Sequence, residues 1–424
     1  MVAIAVAGLA LGIWGYLLVG RGQFWRTIPR LESVLLESNS IETESQSESE
    51  ELQGSSRSLP SVQVIIPARN EAEVLPHSLP SLLNQDYGGN VSILLVDDHS
   101  TDDTAVTAQA IARRTTTPLE VLSAKSLPPG WTGKLWALQQ GTAHALAAHI
   151  ADRPDYLLLT DADIRHSPQS LRQLVTLAER RHLQMASVMV RLRCDSKWEQ
   201  LLIPAFVFFF QKLYPFSWSN DPYRKTAAAA GGCVLLRPEA LQRIGGIAAI
   251  RRSLIDDCAL AAAVKHTQVN MPPFYPIWLG LSDRICSLRP YPTLKSIWDM
   301  VARTAYTQLR YSPLLLLGSV LGMALVYLVP PISLLVGLLS GQGWLALLGL
   351  LGWLAMSVAY WPMVRFYRCA SGFAFALPAI ALLYTLMTLD SAWRHIQGRG
   401  GAWKGRTYPS DASDSRDSKA MAKP

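Results

Sequence analysis

Residues 156–166, YLLLTDADIRH, read as a buried strand that ends in two carboxylates. Asp161 and Asp163 are two positions apart, so an extended chain directs both side chains to one face. Unpaired carboxylates at that spacing repel each other, which predicts a positive partner. Mg²⁺ or Mn²⁺ is the first candidate, because both prefer oxygen ligands and bridge carboxylates to phosphates. A solvated turn is the simpler alternative for an isolated Asp-x-Asp.

Short apolar runs alternate with helical patterns on both sides of this segment. The helical patterns include residues 71–83 and 133–148, and the strand patterns cover residues 62–66, 92–96, 119–122, 156–159 and 186–190. Such alternation predicts an α/β fold with a mostly parallel sheet, which binds ligands at the carboxyl ends of its strands.

Polar residues follow several of these strands. Glu71 lies at the start of the helix after the first strand, and Asp97 and Asp98 end the second. Both aspartates precede a helix and can accept hydrogen bonds from a base or ribose. Lys134 follows a glycine and is a candidate diphosphate contact, although a lone lysine is more often a surface residue. Together with the Asp-x-Asp segment, these acids and the lysine predict a nucleotide site.

The first 20 residues predict a retained transmembrane anchor. Residues 2–19 carry no charge and are long enough to cross a hydrocarbon core of about 30 Å. A cleaved signal peptide is disfavoured, because no basic residue precedes the apolar run. Arg21 and Arg26 follow it, so the positive-inside rule predicts a cytoplasmic location for the next domain.

A second apolar region covers residues 312–392 and predicts two to three spans. No Lys, Arg, Asp or Glu occurs between Arg310 and Arg365, which suits a hairpin of two spans that turns at residues 340–342. The further run at 373–389 contains a proline, and it either crosses the membrane or is re-entrant or tilted.

Three other segments have distinctive compositions. Residues 38–58 are acidic and rich in serine, and they predict a disordered linker, as does the tail at 405–424. Residues 293–311 place apolar side chains at helical spacing among basic ones. This pattern predicts an interfacial amphipathic helix, with a plain core helix as the alternative. Residues 60–292 form the predicted α/β domain.

The overall charge indicates a membrane rather than a nucleic acid as partner. The formal net charge is +7, and a basic membrane protein commonly faces anionic lipid with such charges. No nucleic-acid motif and no zinc spacing competes with this interpretation. The five cysteines are odd in number and scattered, which predicts reduced thiols in a cytoplasmic domain.

The motifs resemble those of a known family when they are taken in order. IIPARNEA, VDDHSTDDT, GKLWALQQG, TDADI, AAGGCVLLRPEAL and IDDCAL look like the motifs of family-2 glycosyltransferases and cover about residues 62–265. The resemblance implies the Rossmann-like GT-A fold and a nucleotide-sugar donor. Longer phrases, such as LPPGWTGKLWAL and RTAYTQLRYSPLLLLG, resemble the hopene-associated branch.

The resemblance also implies roles on the donor side. Asp97 and Asp98, with Glu71, match the acids that hold the nucleotide. Asp161 and Asp163 match the Asp-x-Asp motif that engages the metal and the diphosphate, with Asp163 as the more direct ligand.

On the acceptor side, Asp257 matches the general base of the family, and Asp256 stands where the family has Glu. The base takes a proton from an acceptor hydroxyl, and the resemblance implies single displacement with inversion. A pair of acids at a helix start is the simpler alternative. Gly231 and Gly232 are expected to let the backbone approach the acceptor.

One departure bears on the acceptor. Many membrane members carry Gln-x-x-Arg-Trp, where this chain has Arg310 and Tyr311 at the last two positions but Thr307 in place of Gln. That weakens the prediction of a polysaccharide synthase. The apolar segment 203–218 favours a lipid acceptor over a plain core helix. The expected acceptor is a hopanoid or another polycyclic or ceramide-like lipid.

Two other functions remain open from the sequence. Within enzymes, the alternative is a polyprenyl-phosphate glycosyltransferase or a polysaccharide synthase. Outside enzymes, it is a membrane scaffold with an inactive nucleotide-sugar fold, against which Asp163 and Asp257 argue.

Overall fold

The structure is a computed structural model that describes residues 1–33, 59–147, 153–267 and 272–398, and the backbone of 402–403 and 406–407. It divides into two compact units. The sheet unit comprises Ile28–Arg193 and Phe216–Arg289, and the helical unit comprises Met1–Thr27, Cys194–Pro215 and Pro290–Pro424. The predicted linker at 38–58 lies outside the described residues, as does the tail at 405–424 apart from one short strand.

The strands of the described residues are numbered in chain order. They are β1 Val62–Ala68, β2 Val91–Asp97, β3 Leu119–Ser123, β4 Tyr156–Thr160, β5 Ile164–Arg165, β6 Met185–Arg191, β7 Cys233–Leu236, β8 Ile277–Ser287, β9 Ala402–Trp403 and β10 Arg406–Thr407.

The helices of the sheet unit and the helical unit share one numbering. They are α1 Val2–Val19, α2 Leu75–Leu83, α3 Thr104–Ala112, α4 Gly133–Leu146, α5 Ser170–Arg180, α6 Lys197–Leu213, α7 Phe216–Ser219, α8 Pro238–Arg243, α9 Asp256–His266, α10 Leu294–Ala302, α11 Ala305–Gln308, α12 Pro313–Met323, α13 Val329–Leu339, α14 Gly343–Phe366 and α15 Leu377–Ile396.

The sheet unit contains an eight-stranded mixed sheet in the order β3-β2-β1-β4-β7-β6-β8-β5. The neighbouring strands β3, β2, β1 and β4 are parallel to one another, as are β6 and β8. Strand β7 is antiparallel to both of its neighbours, β4 and β6. The predicted α/β class with a mostly parallel sheet is confirmed. All five predicted strands are present, and β5, β7 and β8 are additional.

Helices cover both faces of this sheet. In β1, Val64 and Ile66 belong to one apolar core and Ile65 to another on the opposite face. A strand that is buried on both faces needs a continuous apolar run, which explains why VQVII does not alternate. Helix α4 packs very close to the sheet, because a Cβ at Gly141 would lie 2.6 Å from Ile65 Cγ2. That contact places the start of α4 beside the strand ends.

The helical unit contains four helical segments, among the described residues, that are long and apolar enough to cross a membrane. They are Val2–Val19, Pro313–Leu339, Gly343–Phe366 and Ser371–Ile396. The second and third form the predicted hairpin, with its turn at residues 340–342. Their backbones approach closely at Gly349, where a Cβ would lie 2.3 Å from Leu334 N.

Helix α6 carries most of the apolar segment at 203–218 and belongs to the helical unit rather than to the sheet unit. Its Phe208 ring is fully buried and packs 5.2 Å from the ring of Tyr360 in α14. Phe209 packs 5.0 Å from the ring of Tyr384 in α15. The aromatic residues therefore hold α6 to the candidate spans, and the predicted domain at 60–292 is interrupted at Cys194–Pro215.

The predicted helix at 293–311 is two helices instead of one. Helix α10 ends at Ala302 and α11 begins at Ala305. The break leaves the Tyr306 N–H outside the helical ladder, and this group donates to Ser391 Oγ at 3.0 Å. A contact with α15 thus replaces the hydrogen bond that a continuous helix would make.

Candidate functional site

The ends of β1 and β2 bring the first group of predicted residues together. Asp98 is buried at 1% exposure, and Arg69 Nη1 lies 3.6 Å from its carboxylate and 2.8 Å from its carbonyl oxygen. Asp97 is half-buried and accepts hydrogen bonds from both the hydroxyl and the N–H of Ser100. Asp97 is therefore the more accessible of the two predicted nucleotide contacts, and Asp98 is held by Arg69.

The turn after β1 is fastened to the start of α3. Asn70 adopts a left-handed conformation with φ 53°, and its side-chain oxygen accepts from Thr101 N at 2.8 Å. Glu71 N donates to Thr104 Oγ1 at 2.9 Å. The Asp102 carboxylate accepts from Thr104 N and from Ala72 N, both at 3.1 Å. These bonds fix the position of Glu71.

Lys134 joins the end of β4 to the start of α9. Its ammonium lies 2.8 Å from Asp161 Oδ1 and 3.7 Å from Asp256 Oδ2. Burial opposes the charge, but the carboxylates of Asp161 and Asp256 raise the pKa of Lys134. Burial raises the pKa of Asp161, Lys134 opposes that rise, and the charge of Asp163 adds to it. Lys134 thus links the predicted donor side to the predicted acceptor side.

Arg289 makes the second cationic link in the site, and the sequence analysis did not identify it. Its Nε lies 2.9 Å from Asp163 Oδ2, and its Nη2 lies 3.3 Å from Glu71 Oε1. Asp163 is 7% exposed, and its Oδ2 also accepts from Ser287 Oγ at 3.2 Å. Ser287 ends β8, which pairs with β5 directly after Asp163. A strand prediction for residues 277–287 would have placed Arg289 directly after a strand end, where the other site residues lie.

Asp257 lies in the first turn of α9 and is held by two backbone groups. Gly231 N donates to its Oδ2 at 2.9 Å, and Cys258 N donates to its Oδ1 at 2.7 Å. Burial, with the neighbouring charge of Asp256, raises the pKa of Asp257 to about 6. A carboxylate with that pKa is charged at neutral pH and yet basic enough to accept a proton.

Gly231 keeps space open between Lys134 and Asp257. A Cβ there would lie 3.4 Å from Lys134 Nζ and 3.5 Å from Asp257 Oδ2. Any longer side chain would fill the gap between them. Gly232 has a different role, since its Cβ would press on Val190 in the core and its carbonyl accepts from Thr160 Oγ1 at 2.8 Å.

A buried histidine supports the end of β4. His166 Nε2 lies 3.0 Å from Thr160 Oγ1, and burial lowers the pKa of His166 to about 4. His166 is therefore neutral at neutral pH. It holds the threonine that precedes Asp161 and so helps to fix the direction of the Asp-x-Asp segment.

The far end of α9 is anchored by a buried lysine. Lys265 Nζ donates to the carbonyl oxygens of Ser219 at 2.8 Å, Asp221 at 2.9 Å and Thr226 at 2.7 Å. These three acceptors satisfy all three N–H groups of the ammonium. Lys265 fastens the segment after α7 to the helix that begins with Asp256 and Asp257.

Two predicted acceptor-side residues belong to the helical unit. Arg310 and Tyr311 have positive φ values of 52° and 55°. The Tyr311 ring stacks on His395 with centroids 4.3 Å apart, and Thr307 Oγ1 donates to the Tyr311 hydroxyl at 3.0 Å. Thr307, which replaces the Gln of the related motif, therefore orients Tyr311.

The carboxylates of the sheet unit suit a divalent cation that also binds phosphate. Within the described part of the chain, no three His, Cys, Asp or Glu side chains converge on one metal position. Mg²⁺ is commonly held by one or two carboxylates plus substrate phosphates, so such a cage is not required. Among the described residues, the carboxylate cluster of the site has five acids and two cations. The acids are Glu71, Asp161, Asp163, Asp256 and Asp257, and the cations are Lys134 and Arg289. The excess negative charge of this cluster would repel a diphosphate without a further cation.

Residues 63–245 match the family model Glycosyl transferase family 2. The match covers the part of the chain that carries the predicted site residues from Glu71 to Gly232. The predicted GT-A class, with apolar helices before and after the domain, is confirmed.

The curated relatives are similar to one part of the chain. A 4,4′-diaponeurosporenoate glycosyltransferase of Staphylococcus aureus (strain bovine RF122 / ET3-1) is 33% identical over 104 residues, or 24% of each chain. The protein of that name from strain MRSA252 is 33% identical over 101 residues, covering 24% of this chain and 23% of the relative. The chain thus spans about a quarter of the length of the curated relatives it matches.

Solved structures of glycosyltransferases are also similar. A mannosyltransferase from Pyrobaculum calidifontis, in complex with GDP-Man and Mn²⁺, aligns with 92% of this chain and 99% of its own at 16% identity and a TM-score of 0.48. A glucosyl-3-phosphoglycerate synthase from Mycobacterium tuberculosis, in complex with Mn²⁺ and UDP-glucose, aligns with 59% of this chain and 78% of its own, with 16% identity and a TM-score of 0.37.

Proposed function

We propose that this protein is a membrane-bound, inverting glycosyltransferase that moves a sugar from a nucleotide-sugar donor to a lipid acceptor. The observation that carries the proposal is the bridge that Lys134 makes from Asp161 to Asp256, beside Asp257. It brings an acid of the Asp-x-Asp segment and a carboxylate suited to proton transfer to one place, around the gap that Gly231 keeps open. Transfer to a hydroxyl needs both functions.

The donor side is formed by the ends of β1, β2 and β4. In this proposal Asp97 accepts hydrogen bonds from the nucleoside, with Asp98 and Glu71 beside it. Arg69 supports Asp98 at 2.8 Å through its carbonyl, so the pair keeps its direction without a ligand. Lys134 and Arg289 supply positive charge to the diphosphate when they leave their carboxylate partners.

Asp161 and Asp163 would hold Mg²⁺ or Mn²⁺ together with the diphosphate. When bound, the ion neutralises the negative charge that develops on the leaving diphosphate. Arg289 then has to release Asp163 Oδ2, which it approaches at 2.9 Å in this structure. The contact with Glu71, at 3.3 Å, can keep the guanidinium at the edge of the site.

Asp257 is the proposed general base. It takes the proton from the acceptor hydroxyl while that oxygen forms a bond to the anomeric carbon. The bond from this carbon to the diphosphate oxygen breaks, and the diphosphate leaves with the electron pair. Attack from the face opposite the leaving group inverts the anomeric configuration. The N–H groups of Gly231 and Cys258, at 2.9 and 2.7 Å, hold the two carboxylate oxygens, each of which keeps a second lone pair for the acceptor proton.

The pH dependence of turnover provides one check of this assignment. The pKa of Asp257 is about 6, and only the charged form accepts a proton. Turnover at saturating substrates should be constant above neutral pH and should fall about tenfold per unit well below pH 6. Rates measured from pH 4.5 to 8.5 test this, with donor binding followed in parallel. A rate that stays constant down to pH 4.5 contradicts the role of Asp257.

The lipid acceptor is supported by two observations. The helical unit offers four candidate membrane spans, and its helix α6 carries an aromatic surface packed on them. The relatives that match part of the chain are named 4,4′-diaponeurosporenoate glycosyltransferase. Within lipids, we propose a hopanoid or another polycyclic or ceramide-like lipid, following the resemblance to the hopene-associated branch. No nucleic acid takes part.

We further propose that the sheet unit is cytoplasmic and that the protein resides in a bacterial-type inner membrane. Arg21 and Arg26 follow the uncharged helix α1, and positive residues flank spans on the cytoplasmic side. Protease added outside sealed cells should therefore leave residues 60–193 uncut, and lysis should expose them. Cleavage within that segment in sealed cells would reverse the orientation.

The decisive test of function is direct. The purified full-length protein is incubated with a panel of nucleotide sugars and a bacterial lipid extract, and new glycolipids are detected by mass spectrometry. A sugar added to an extracted neutral lipid supports the proposal. A sugar added only to polyprenyl phosphate, or to a growing polysaccharide, would assign the enzyme to the alternative classes. Absence of both transfer and donor hydrolysis would indicate an inactive scaffold.

A further inference from the structure

Half-buried Lys212 differs from the fully buried Lys265 in how its ammonium is satisfied. Lys265 donates to three carbonyl oxygens of the sheet unit. Lys212, in the last turn of α6 within the helical unit, donates to one neutral group, the Tyr327 hydroxyl at 2.9 Å. An ammonium carries three N–H donors, so two of them have no acceptor in the described part of the chain.

Aromatic rings form the walls around this ammonium. Lys212 Nζ lies 4.7 Å from the ring centroid of Tyr327 and 5.5 Å from that of Phe209. Trp14 of α1 packs edge-on against Tyr327 at 5.5 Å. These rings contact the ammonium by cation–π interaction, but they supply no negative charge. Their arrangement holds the ammonium at a defined position.

The charge of Arg21 acts on Lys212 and has the same sign. Arg21 donates to the Lys212 carbonyl oxygen from Nη2 at 3.1 Å and from Nε at 3.2 Å, which caps the end of α6. Burial, followed by the charge of Arg21, lowers the pKa of Lys212 to about 8, and no carboxylate contributes. Two cations at one helix end, with no acid paired with Lys212 among the described residues, favour an anionic ligand.

The surroundings indicate that this anion belongs to a lipid. Tyr327 and Trp14 lie on two of the candidate membrane spans, and Arg21 follows directly after α1. Basic pockets between spans, near the level of the headgroups, bind anionic phospholipids. A long lysine side chain can reach that level from an apolar environment.

We propose that Lys212, with Arg21 beside it, is a binding site for the phosphate of an anionic membrane phospholipid. Two N–H groups of Lys212 bind the phosphate oxygens, and the acyl chains lie along the apolar surface of α1 and the Pro313–Leu339 span. The site is confined to the helical unit, and its existence does not depend on whether the sheet unit transfers a sugar.

The experiment measures lipid preference of the full-length protein without an activity readout. The protein in nonionic detergent is titrated with phosphatidylglycerol and with phosphatidylcholine, and bound lipid is counted by native mass spectrometry. We expect the wild type to bind phosphatidylglycerol about tenfold more tightly than phosphatidylcholine, which corresponds to about 1.4 kcal/mol. Equal binding of the two lipids by the wild type overturns the proposal without any variant.

Variants locate the preference. Lys212→Met keeps the length of the side chain but removes the charge, and should bind the two lipids equally. Lys212→Arg and Tyr327→Phe keep the charge and should retain most of the preference. The matched control is Lys295→Met, since Lys295 is 85% exposed in the same unit and pairs with Asp299. An unchanged preference in Lys212→Met, or an equal loss in Lys295→Met, overturns the site.

A final arm separates a lipid from a free phosphate ester. Glycerol 3-phosphate at millimolar concentration carries the same headgroup chemistry without acyl chains. It should leave bound phosphatidylglycerol in place, because most of the binding free energy comes from the buried chains. Displacement by glycerol 3-phosphate would mean that the site takes a soluble phosphate, and the lipid assignment would be wrong.

Discussion

The Asp257→Asn variant is expected to bind the nucleotide sugar with near-native Kd and to form glycolipid about 10²–10⁴-fold more slowly. Asparagine keeps the shape of the side chain and can still accept from Gly231 N, which donates to Asp257 at 2.9 Å. It cannot take a proton from the acceptor. The interaction that is lost exists only in the transition state, so kcat falls while donor affinity remains.

The neighbouring acid provides the matched control for this variant. Asp256 faces Lys134 at 3.7 Å rather than the backbone amides that hold Asp257. Asp256→Asn should therefore have a small effect on both donor binding and turnover. Its loss of turnover should be smaller than that of Asp257→Asn. Calorimetry with the donor, beside a radiolabelled transfer assay, separates the two effects. If Asp256→Asn abolishes turnover and Asp257→Asn does not, the base is Asp256, and if both stay active the base lies elsewhere.

Activity is expected to require a divalent cation and to fall at least about 10²-fold in Asp163→Asn, the scale of losing a major electrostatic stabiliser. Asp163 is 7% exposed and is held by Arg289 and Ser287, so its oxygens are directed before any ligand arrives. Chelator should abolish transfer by the wild type, and added Mn²⁺ or Mg²⁺ should restore it. Asp163→Asn should need a higher metal concentration for its residual activity.

A surface aspartate serves as control for this second variant. Asp86 is 51% exposed and pairs with Arg172 instead of with Lys134 or Arg289. Asp86→Asn should leave both the rate and the metal requirement unchanged. Full activity of the wild type in excess chelator would refute the metal role, and full activity of Asp163→Asn would remove Asp163 from it.

The sequence predicted those parts of the site that local patterns encode. A strand that is apolar on both faces and a polar residue at its end are both visible within a few positions, so Asp97, Asp161 and Asp163 were identifiable. Their proximity followed from the rule that parallel strands direct their carboxyl ends to one edge of the sheet. The structure confirms the sheet and shows Lys134 in contact with Asp161.

The missed parts depend on long-range pairing. Arg289 reaches Asp163 because β8 pairs antiparallel with the two-residue strand β5, at Ser287 and Ile164. A strand of two residues gives no periodic signal, and the order of β7, β6 and β8 in the sheet cannot be read from neighbouring residues. The assignment of α6 to the helical unit was missed for the same reason, since its partners Tyr360 and Tyr384 lie far along the chain.

The anchoring of α9 at both ends limits which acceptors the site can accommodate. Asp257 is tied to Gly231 at one end of the helix, and Lys265 is tied to the carbonyls of residues 219–226 at the other. Helix α9 is therefore fixed at both ends to the chain of residues 219–231, so a shift of one of them moves the other. An acceptor too bulky for the chain between residues 219 and 231 would also displace the proposed base, Asp257. A poor steric fit would therefore impair proton abstraction directly. Selectivity for acceptor size should consequently appear in kcat and not only in KM.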